Sequence, residues 1–490
     1  MILGFSALFF GGVHVWVYTS VQLSLVCLTL LFVLVRVPAW WRSETGEISW
    51  IVTPVNLAAI LFLAIVFLQI VSLPEGIVRP VSPNTADILE ISAGIESEPI
   101  SAYHFSLYRH ATVNSLMMAF GVVYFYFLLL SSVKRRSQLK SMVRAILYVG
   151  IALCLYGLFE KLSGHNHILW WRHLYKVHGF RVFGTFINPN HFAFFLNMML
   201  MLFFGQLYYL MRSKRRHKVS RSKPLFRSFL DNEADIQRLV FLAFCFGVML
   251  LTLIMTGSRA AIFSLALSMS VMLILLYVKT RKKGLFLIIG SLFVIVLICG
   301  QRMDVERVIG RFGDLSEENI LEQGRMVHNR AVLPIIKEYL LLGTGLGTFE
   351  YVYPRYQPAY PPGYRRELHN DWLQLMVETG IVGFLIVFIG FILLMKSFVA
   401  LWWKRKDPFA VGLGIGCIGA ILTSAIHSLF DFSLHIPANA ITLAAVVAIG
   451  FLALHSKKQG FKEPFLCPVK TIRLWGSRPQ QTHEGEPSET

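Results

Sequence analysis

Apolar residues along this chain come in long runs, without the polar interruptions that an amphipathic helix or a half-buried strand imposes. The runs fall near residues 1–14, 17–36, 51–73, 112–131, 142–162, 190–211, 239–256, 260–278, 284–300, 372–401, 409–430 and 437–455. Each approaches the ~20 helical residues needed to cross about 30 Å of hydrocarbon. The pattern predicts an all-α, polytopic membrane protein of about 11–12 transmembrane helices, the lower count allowing for the short first run. The polar segment 301–368 is too long for a simple connector and is expected to be a large outward loop with helical patches and a binding surface rich in tyrosine. Nine membrane helices are thus expected over 1–300, three more over 369–455, and a cytoplasmic tail over 456–490 that becomes disordered after about Gly476.

Composition sharpens this picture. Of 490 residues 55% are apolar and 15% charged, with a mean hydropathy of +0.59. These values exclude a soluble enzyme, a secreted disulfide scaffold and a disordered regulator. A net charge of +18 would suggest a nucleic-acid partner on a soluble protein. Here the basic residues fill short loops between apolar runs: Lys134 to Lys140, Arg212 to Arg227, Lys279 to Lys283 and Lys404 to Lys406. If the spans alternate, all four loops and the tail lysines share one side, which the positive-inside rule makes cytoplasmic, and no nucleic acid is needed to explain the charge. Both termini are then expected in the cytoplasm, and loops 74–111 and 301–368 outside. Five of the six cysteines lie in apolar runs, so no disulfide framework is readable. The start, Met-Ile-Leu-Gly, lacks the basic region and cleavage site of a removable signal peptide.

The centres of the spans carry almost no charge, whereas their outward mouths hold Arg181, Asn188, Asn190 and His191, then Ser258 and Arg259, then His369, Asn370 and Asp371, and finally His427, Asp431 and His435. A carrier for lipid-linked saccharides would need polar groups along a path through the span interiors, so this distribution favours chemistry at the outer face over transport. Arg259 sits in the four-residue turn Thr256-Gly257-Ser258-Arg259 between two spans. Its guanidinium either snorkels to headgroups or meets an anionic partner, and both readings stand on position alone. The outer-loop arginines Arg302, Arg307, Arg311, Arg325 and Arg330 have acidic neighbours, and surface pairs worth about 0–1 kcal/mol satisfy most of them. Arg325 is set apart because it follows Gly324 and heads an apolar helical stretch.

His369 precedes a helical run too long for one crossing, so it stands in water-accessible space near the headgroups, either as a helix-start residue or as a base. At about 100° per residue Asp371 lies about 200° away from it, whereas Asp371, Gln374 and Glu378 share a face. His165 and His167 are too few ligands to mark a metal site, and none is expected.

These outward residues lie in segments that resemble the O-antigen ligase and polymerase family of integral membrane glycosyltransferases. The pieces are Gly184-Thr185-Phe186-Ile187-Asn188-Pro189-Asn190, Thr256-Gly257-Ser258-Arg259, and Leu341 through Phe349. Two more are His369-Asn370-Asp371-Trp372-Leu373-Gln374-Leu375 with Glu378-Thr379-Gly380, and His427 through Asp431 with His435 through Asn439. The resemblance covers residues 180–450. It implies a GT-C-like membrane fold in the bacterial inner membrane, with an active site facing the periplasm. It also implies glycosyl transfer from a polyprenyl-diphosphate-linked glycan, such as an undecaprenyl diphosphate saccharide, to a hydroxyl of a lipid or glycan acceptor in surface-polysaccharide ligation or polymerisation. A protein O-oligosaccharyltransferase would share the same donor site. By motif, Arg259 and Arg325 would hold the diphosphate, with Arg181, Asn188, Asn190, Ser258 and Asp431 lining the substrate, and His369 would act on the acceptor. One departure is Asn329, at a position four residues after Arg325 where such proteins often carry an aromatic.

The chemistry of these residue types fits that implication. A diphosphate is already a good leaving group, so the requirement is for fixed cations, which arginine forks supply with two bonds each. No Asp-x-Asp motif stands on the outer side, in keeping with a mechanism that uses neither metal nor cofactor. An alcohol needs a positioned base, and an imidazole of ordinary pKa ~6.5 contributes about 10²- to 10⁴-fold.

Overall fold

The computed structural model describes residues 1–41, 47–51, 53–96, 102–164, 167–169, 172–173, 181–213, 233–281, 325–358, 365–456 and 469–473. Fifteen helices are named within them. The first five are α1 (Ile2–Leu8), α2 (Val15–Trp41), α3 (Pro54–Ile70), α4 (Glu75–Val81) and α5 (Pro83–Glu96). Next come α6 (Arg109–Ser132), α7 (Arg136–Ser163), α8 (Pro189–Ser213), α9 (Glu233–Met255) and α10 (Arg259–Thr280). The last five are α11 (Leu333–Glu338), α12 (Phe349–Val352), α13 (Asp371–Lys404), α14 (Pro408–His427) and α15 (Pro437–His455). Apart from two short two-stranded pairings, Glu47–Ile51 with Val469–Arg473 and His167–Ile168 with Arg172–His173, the described chain is helical.

Seven of these helices, α6, α7, α8, α10, α13, α14 and α15, are long and apolar enough to cross a membrane. Shorter apolar stretches over Val15–Leu31, Val55–Ile70 and Leu239–Met255 bring the apolar helices among the described residues to ten. The difference from the expected number has two sources. The expected span 284–300 lies outside the described residues, as do Arg302, Arg307, Arg311, His165 and the tail beyond residue 473. The first run does not form one helix: α1 is seven residues long and gives way to a 3-10 turn in which Phe10, Gly11 and Gly12 all take positive φ.

The core is built where helices approach most closely. α8 and α14 form the most extensive pair, and Gly205 meets Gly412 with backbone against backbone, the small-residue contact that lets membrane helices pack by van der Waals attraction. One end of the bundle gathers the basic residues. Arg136 pairs with Asp407 and lies 4.2 Å over the Phe409 ring, and Lys140 Nζ donates to the Tyr209 hydroxyl at 3.1 Å. Lys279 Nζ donates to the Trp402 and Trp403 carbonyls at 2.8 and 2.6 Å, and Arg405 Nε donates to the Leu454 carbonyl. The described basic residues of the loops at Lys134 to Lys140, Lys279 and Lys404 to Lys406 therefore share one physical end of the bundle, whereas Lys214 to Arg227 and Lys457 to Lys462 lie outside the described residues. At the opposite end the segment 325–358 is ordered over its own small core of Val332, Ile335, Tyr339, Phe349, Tyr353, Leu368 and Val377.

A break in α13 seats that segment. Gly380 has φ 64° and ψ −172°, a conformation essentially restricted to glycine, so the run read as one continuous helix is two pieces meeting there. Into the break fits the 341–349 strip: Thr344 N donates to Val377 O and Gly345 N to Glu378 O, each at 3.0 Å, and Ile381 N donates to Leu340 O at 2.8 Å. The Gln69 amide on α3 donates to Leu342 O at 2.7 Å and Glu378 O at 2.8 Å. A Cβ on Gly380 would run into the Leu341 carbonyl, and one on Gly343 into Glu378.

Candidate active site

The outer end of α13 and the turn between α14 and α15 assemble the site. Asn370 caps α13 by accepting from Leu373 N at 3.1 Å, which leaves His369 just outside the helix. Asp371 N donates to Ser428 O at 2.9 Å and docks the 428–436 turn onto the helix start. The two segments then pair crosswise. His369 Nδ1 donates to Asp431 Oδ1 at 3.0 Å, and His435 Nδ1 meets Asp371 Oδ1 at 2.8 Å. Asp371 Oδ2 also accepts from the Ser428 hydroxyl at 2.8 Å and from Leu434 N at 3.2 Å.

The Asp431 side chain is 1% exposed and that of His369 24% exposed, so the carboxylate is buried behind an imidazole that still reaches water. With Nδ1 committed to Asp431, Nε2 is the nitrogen left to take a proton. Burial alone would raise the Asp431 carboxyl, but the His369 hydrogen bond, the neighbouring imidazoles and the Arg325 charge outweigh it and hold it below the usual carboxylate range. The Phe432 ring packs against both His191 and His369, with centroids 4.7 and 5.2 Å away. His191 Nε2 approaches Asp431 Oδ1 to 3.9 Å.

The shared helix face expected for Asp371, Gln374 and Glu378 is present and converges on His435. Gln374 Nε2 donates to Glu378 Oε1 at 3.1 Å, is bonded to Glu367, and lies 3.1 Å from His435 Nε2. Gln374 Oε1 in turn accepts from Leu368 N at 2.8 Å. Burial works against charge on His435, but Glu367, Asp371 and Glu378 prevail and push it up to about 10. Ligand atoms of Glu367, Glu378 and His435 lie within 4.8 Å of one another, and the Gln374 amide nitrogen donates to both carboxylates among them.

The basic groups expected at the site stand at this end of the bundle. Arg181 Nε donates to Thr256 O at 2.6 Å and Nη2 to Asn190 Oδ1 at 3.0 Å, tying the start of α8 to the turn before α10. Asn188 Oδ1 accepts from Asn190 N at 2.8 Å, and Ser258, buried, caps α10 through Ala261 N. Arg259 is the first residue of α10. Four residues on, Phe263 packs edge-on against Phe430 at 5.9 Å, so the helix face that carries Arg259 meets the turn holding Asp431. Arg325 lies on a short helical stretch over the described residues 325–331, and its charge bears on Asp431. The structure thus brings His369 and Asp431 into contact and joins Arg181 to Asn190, whereas Asn188 and Ser258 serve as backbone caps.

Sequence reasoning assigned no role to Arg365 or Glu367, and left His435 and His191 without partners. The charged run Arg365-Arg366-Glu367 ahead of His369 was the available signal. Beside it His328, 2% exposed, bonds the Tyr353 hydroxyl through Nδ1. Burial and the Arg365 charge push His328 down to about 4. Below the site, Val55, Ala59, Phe62, Trp372, Phe391 and Val447 help line an apolar cavity of about 250 Å³ between α3, α13, α14 and α15.

Residues 244–388 match the family model Wzy_C, described as O-antigen ligase. The matched span contains Thr256 to Arg259, the 341–349 strip and His369 to Gly380, so the resemblance holds across the centre of the site. Over that span the chain is similar to the O-antigen ligase family. No curated protein matches the chain.

Proposed function

We propose that the protein transfers a saccharide from a polyprenyl diphosphate to an acceptor hydroxyl, in ligation or polymerisation of a surface polysaccharide. The observation that carries this reading is the buried Asp431 carboxylate bonded at 3.0 Å to the partly exposed His369 at the mouth of the bundle, with the Arg325 charge bearing on Asp431. His369 Nε2 takes the proton of the acceptor hydroxyl as its oxygen bonds to the anomeric carbon. The bond from that carbon to the diphosphate oxygen breaks, and the electron pair leaves with the polyprenyl diphosphate. Asp431 stabilises the imidazolium that results. Arg259 and Arg325, assisted by Arg181, neutralise charge that grows on the diphosphate. With base and leaving group at opposite faces of the sugar, the anomeric configuration inverts. The apolar cavity beneath Trp372 suits part of an isoprenoid chain.

The basic end of the bundle faces the cytoplasm on this reading, which puts His369 on the periplasmic side of a bacterial inner membrane. The step requires no metal, because fixed guanidiniums do the work of a cation. The test is purified protein with a lipid-diphosphate oligosaccharide and separate lipid, glycan and protein acceptors, with and without chelator. A product ladder identifies a polymerase, and a single shifted acceptor identifies a ligase or a protein transferase. Absence of product in every arm refutes the function, and loss of product in chelator alone refutes metal independence.

A further inference from the structure

Asp431 has more than one imidazole beside it. Its Oδ1 accepts from His369 Nδ1 at 3.0 Å and from Phe432 N at 2.9 Å, and His191 Nε2 stands 3.9 Å from the same oxygen. Both His191 and Asp431 are buried, and among the described residues His191 Nε2 and Asp431 Oδ2 are enclosed atoms with no hydrogen-bond partner. Polar atoms left in that state are costly, so an unmatched imidazole nitrogen and an unmatched carboxylate oxygen at one place point to each other.

The fold holds the ring at this distance. His191 N donates to Asn188 O at 3.1 Å, which sets the residue in the first turn of α8. Asn439 Nδ2 donates to His191 O at 3.2 Å and to Ser433 O at 3.1 Å, so one amide of α15 ties that turn to the segment carrying Asp431. The Phe432 ring touches both imidazoles. The gap of 3.9 Å exceeds a hydrogen bond by about 1 Å, which a small side-chain rotation closes. Beside an anion an imidazole presents a proton in preference to a lone pair, so Nε2 is the protonated nitrogen.

We propose that His191 is a second partner of Asp431, a positioning residue that donates from Nε2 to the carboxylate and so divides its charge between two imidazoles. The inference rests on the glycosyl-transfer reading, in which His369 is the base, and adds to it a residue that acts only through Asp431. The consequence is a tempered base. A carboxylate that accepts a further hydrogen bond has less charge to offer His369, which then holds its proton less tightly. Arg325, His427 and His435 are the other groups whose charge bears on Asp431 or His191, and a substitution of His191 leaves them in place.

The test uses full-length protein in lipid bilayers, with isotope-labelled histidine, and reads the proton between His369 Nδ1 and Asp431 by solid-state NMR, so that turnover is not required. His191→Phe keeps a ring against Phe432 and removes the donor, and this resonance should move further downfield. His191→Gln, whose amide restores a donor, should bring it back toward wild type. If His191→Phe does not fold, His191→Asn carries the test, because its shorter side chain withdraws the donor. In active protein the acid limb of kcat/KM should move in step, to higher pH by about 0.5 to 1 unit in His191→Phe, since the lost donor leaves more negative charge to keep a proton on His369. A loss of packing alone lowers the yield of folded protein and moves neither reading. An unmoved resonance in the variants that lack the donor, or one that His191→Gln does not bring back, overturns the proposal. Saccharide transfer that continues with resonance and acid limb both unmoved overturns it and spares the function. A resonance that depends on His191 in a protein with no transferase activity does the reverse.

Discussion

His369 and Asp431 pair at 3.0 Å across the same two segments in which Asp371 and His435 pair at 2.8 Å, so the start of α13 and the turn before α15 exchange an imidazole and a carboxylate in both directions. The two dyads have different surroundings. His369 meets one carboxylate and packs on Phe432, whereas His435 is approached by Asp371, Glu367 and Glu378. The first presents its imidazole to water, and the second is enclosed by carboxylates that favour a proton on it.

Removing the base should separate chemistry from donor binding. His369→Ala is expected to lower kcat by about 10²- to 10⁴-fold with the donor Kd unchanged, measured by single-turnover transfer alongside donor binding. Asp431→Asn removes the charge that fixes the His369 tautomer and stabilises its imidazolium, and should cost about 10- to 10³-fold in kcat by the same assay. Wild-type rates in both variants would move the base elsewhere, with His191, 3.9 Å from Asp431, the next imidazole beside it.

The Arg259 prediction depends on shape. Arg259→Lys keeps the charge and loses the fork, so turnover should fall about 10- to 100-fold with a normal melting temperature. A guanidinium that only snorkels to headgroups would tolerate the exchange, and normal turnover would support that alternative.

The second dyad sets a pH limit. His435 is raised in the folded protein to about 10, above its ordinary value near 6.5. Its contribution to stability is therefore fully present below about 6.5, shrinks as pH rises between the two values, and is gone above about 10. Melting temperature followed from pH 6 upward should decline across this window in wild type, beyond any decline in His435→Gln. Parallel curves for the two proteins would show that Asp371, Glu367 and Glu378 do not hold a proton on His435.

Much of the site was legible because it is local. The outward mouths could be counted from hydropathy, and the shared face of Asp371, Gln374 and Glu378 follows from helical periodicity alone. The crosswise dyads were not legible, since His369 and Asp431 are 62 residues apart and no periodicity reports which turn docks on which helix start. Gly380 was hidden for another reason. It lies in an apolar run, and a run of that kind gives no sign that α13 departs from helical geometry to admit a strip from the outer loop. Gly11 and Gly12 broke the first run by the same means.

That break yields its own prediction. At φ 64° and ψ −172° an alanine costs of order 1–3 kcal/mol in the backbone alone, before its Cβ meets the Leu341 carbonyl. Gly380→Ala should lower the melting temperature and also turnover, because displacing the 341–349 strip shifts Phe349, Tyr353 and, through Tyr353, the helical stretch that carries His328 and Arg325. Gly390→Ala, lower in the same helix against Ala58, strains packing without touching that strip. Comparing kcat per folded molecule in the two variants separates a clamp on the site from a general loss of stability. Equal values in both would leave Gly380 as a structural residue only.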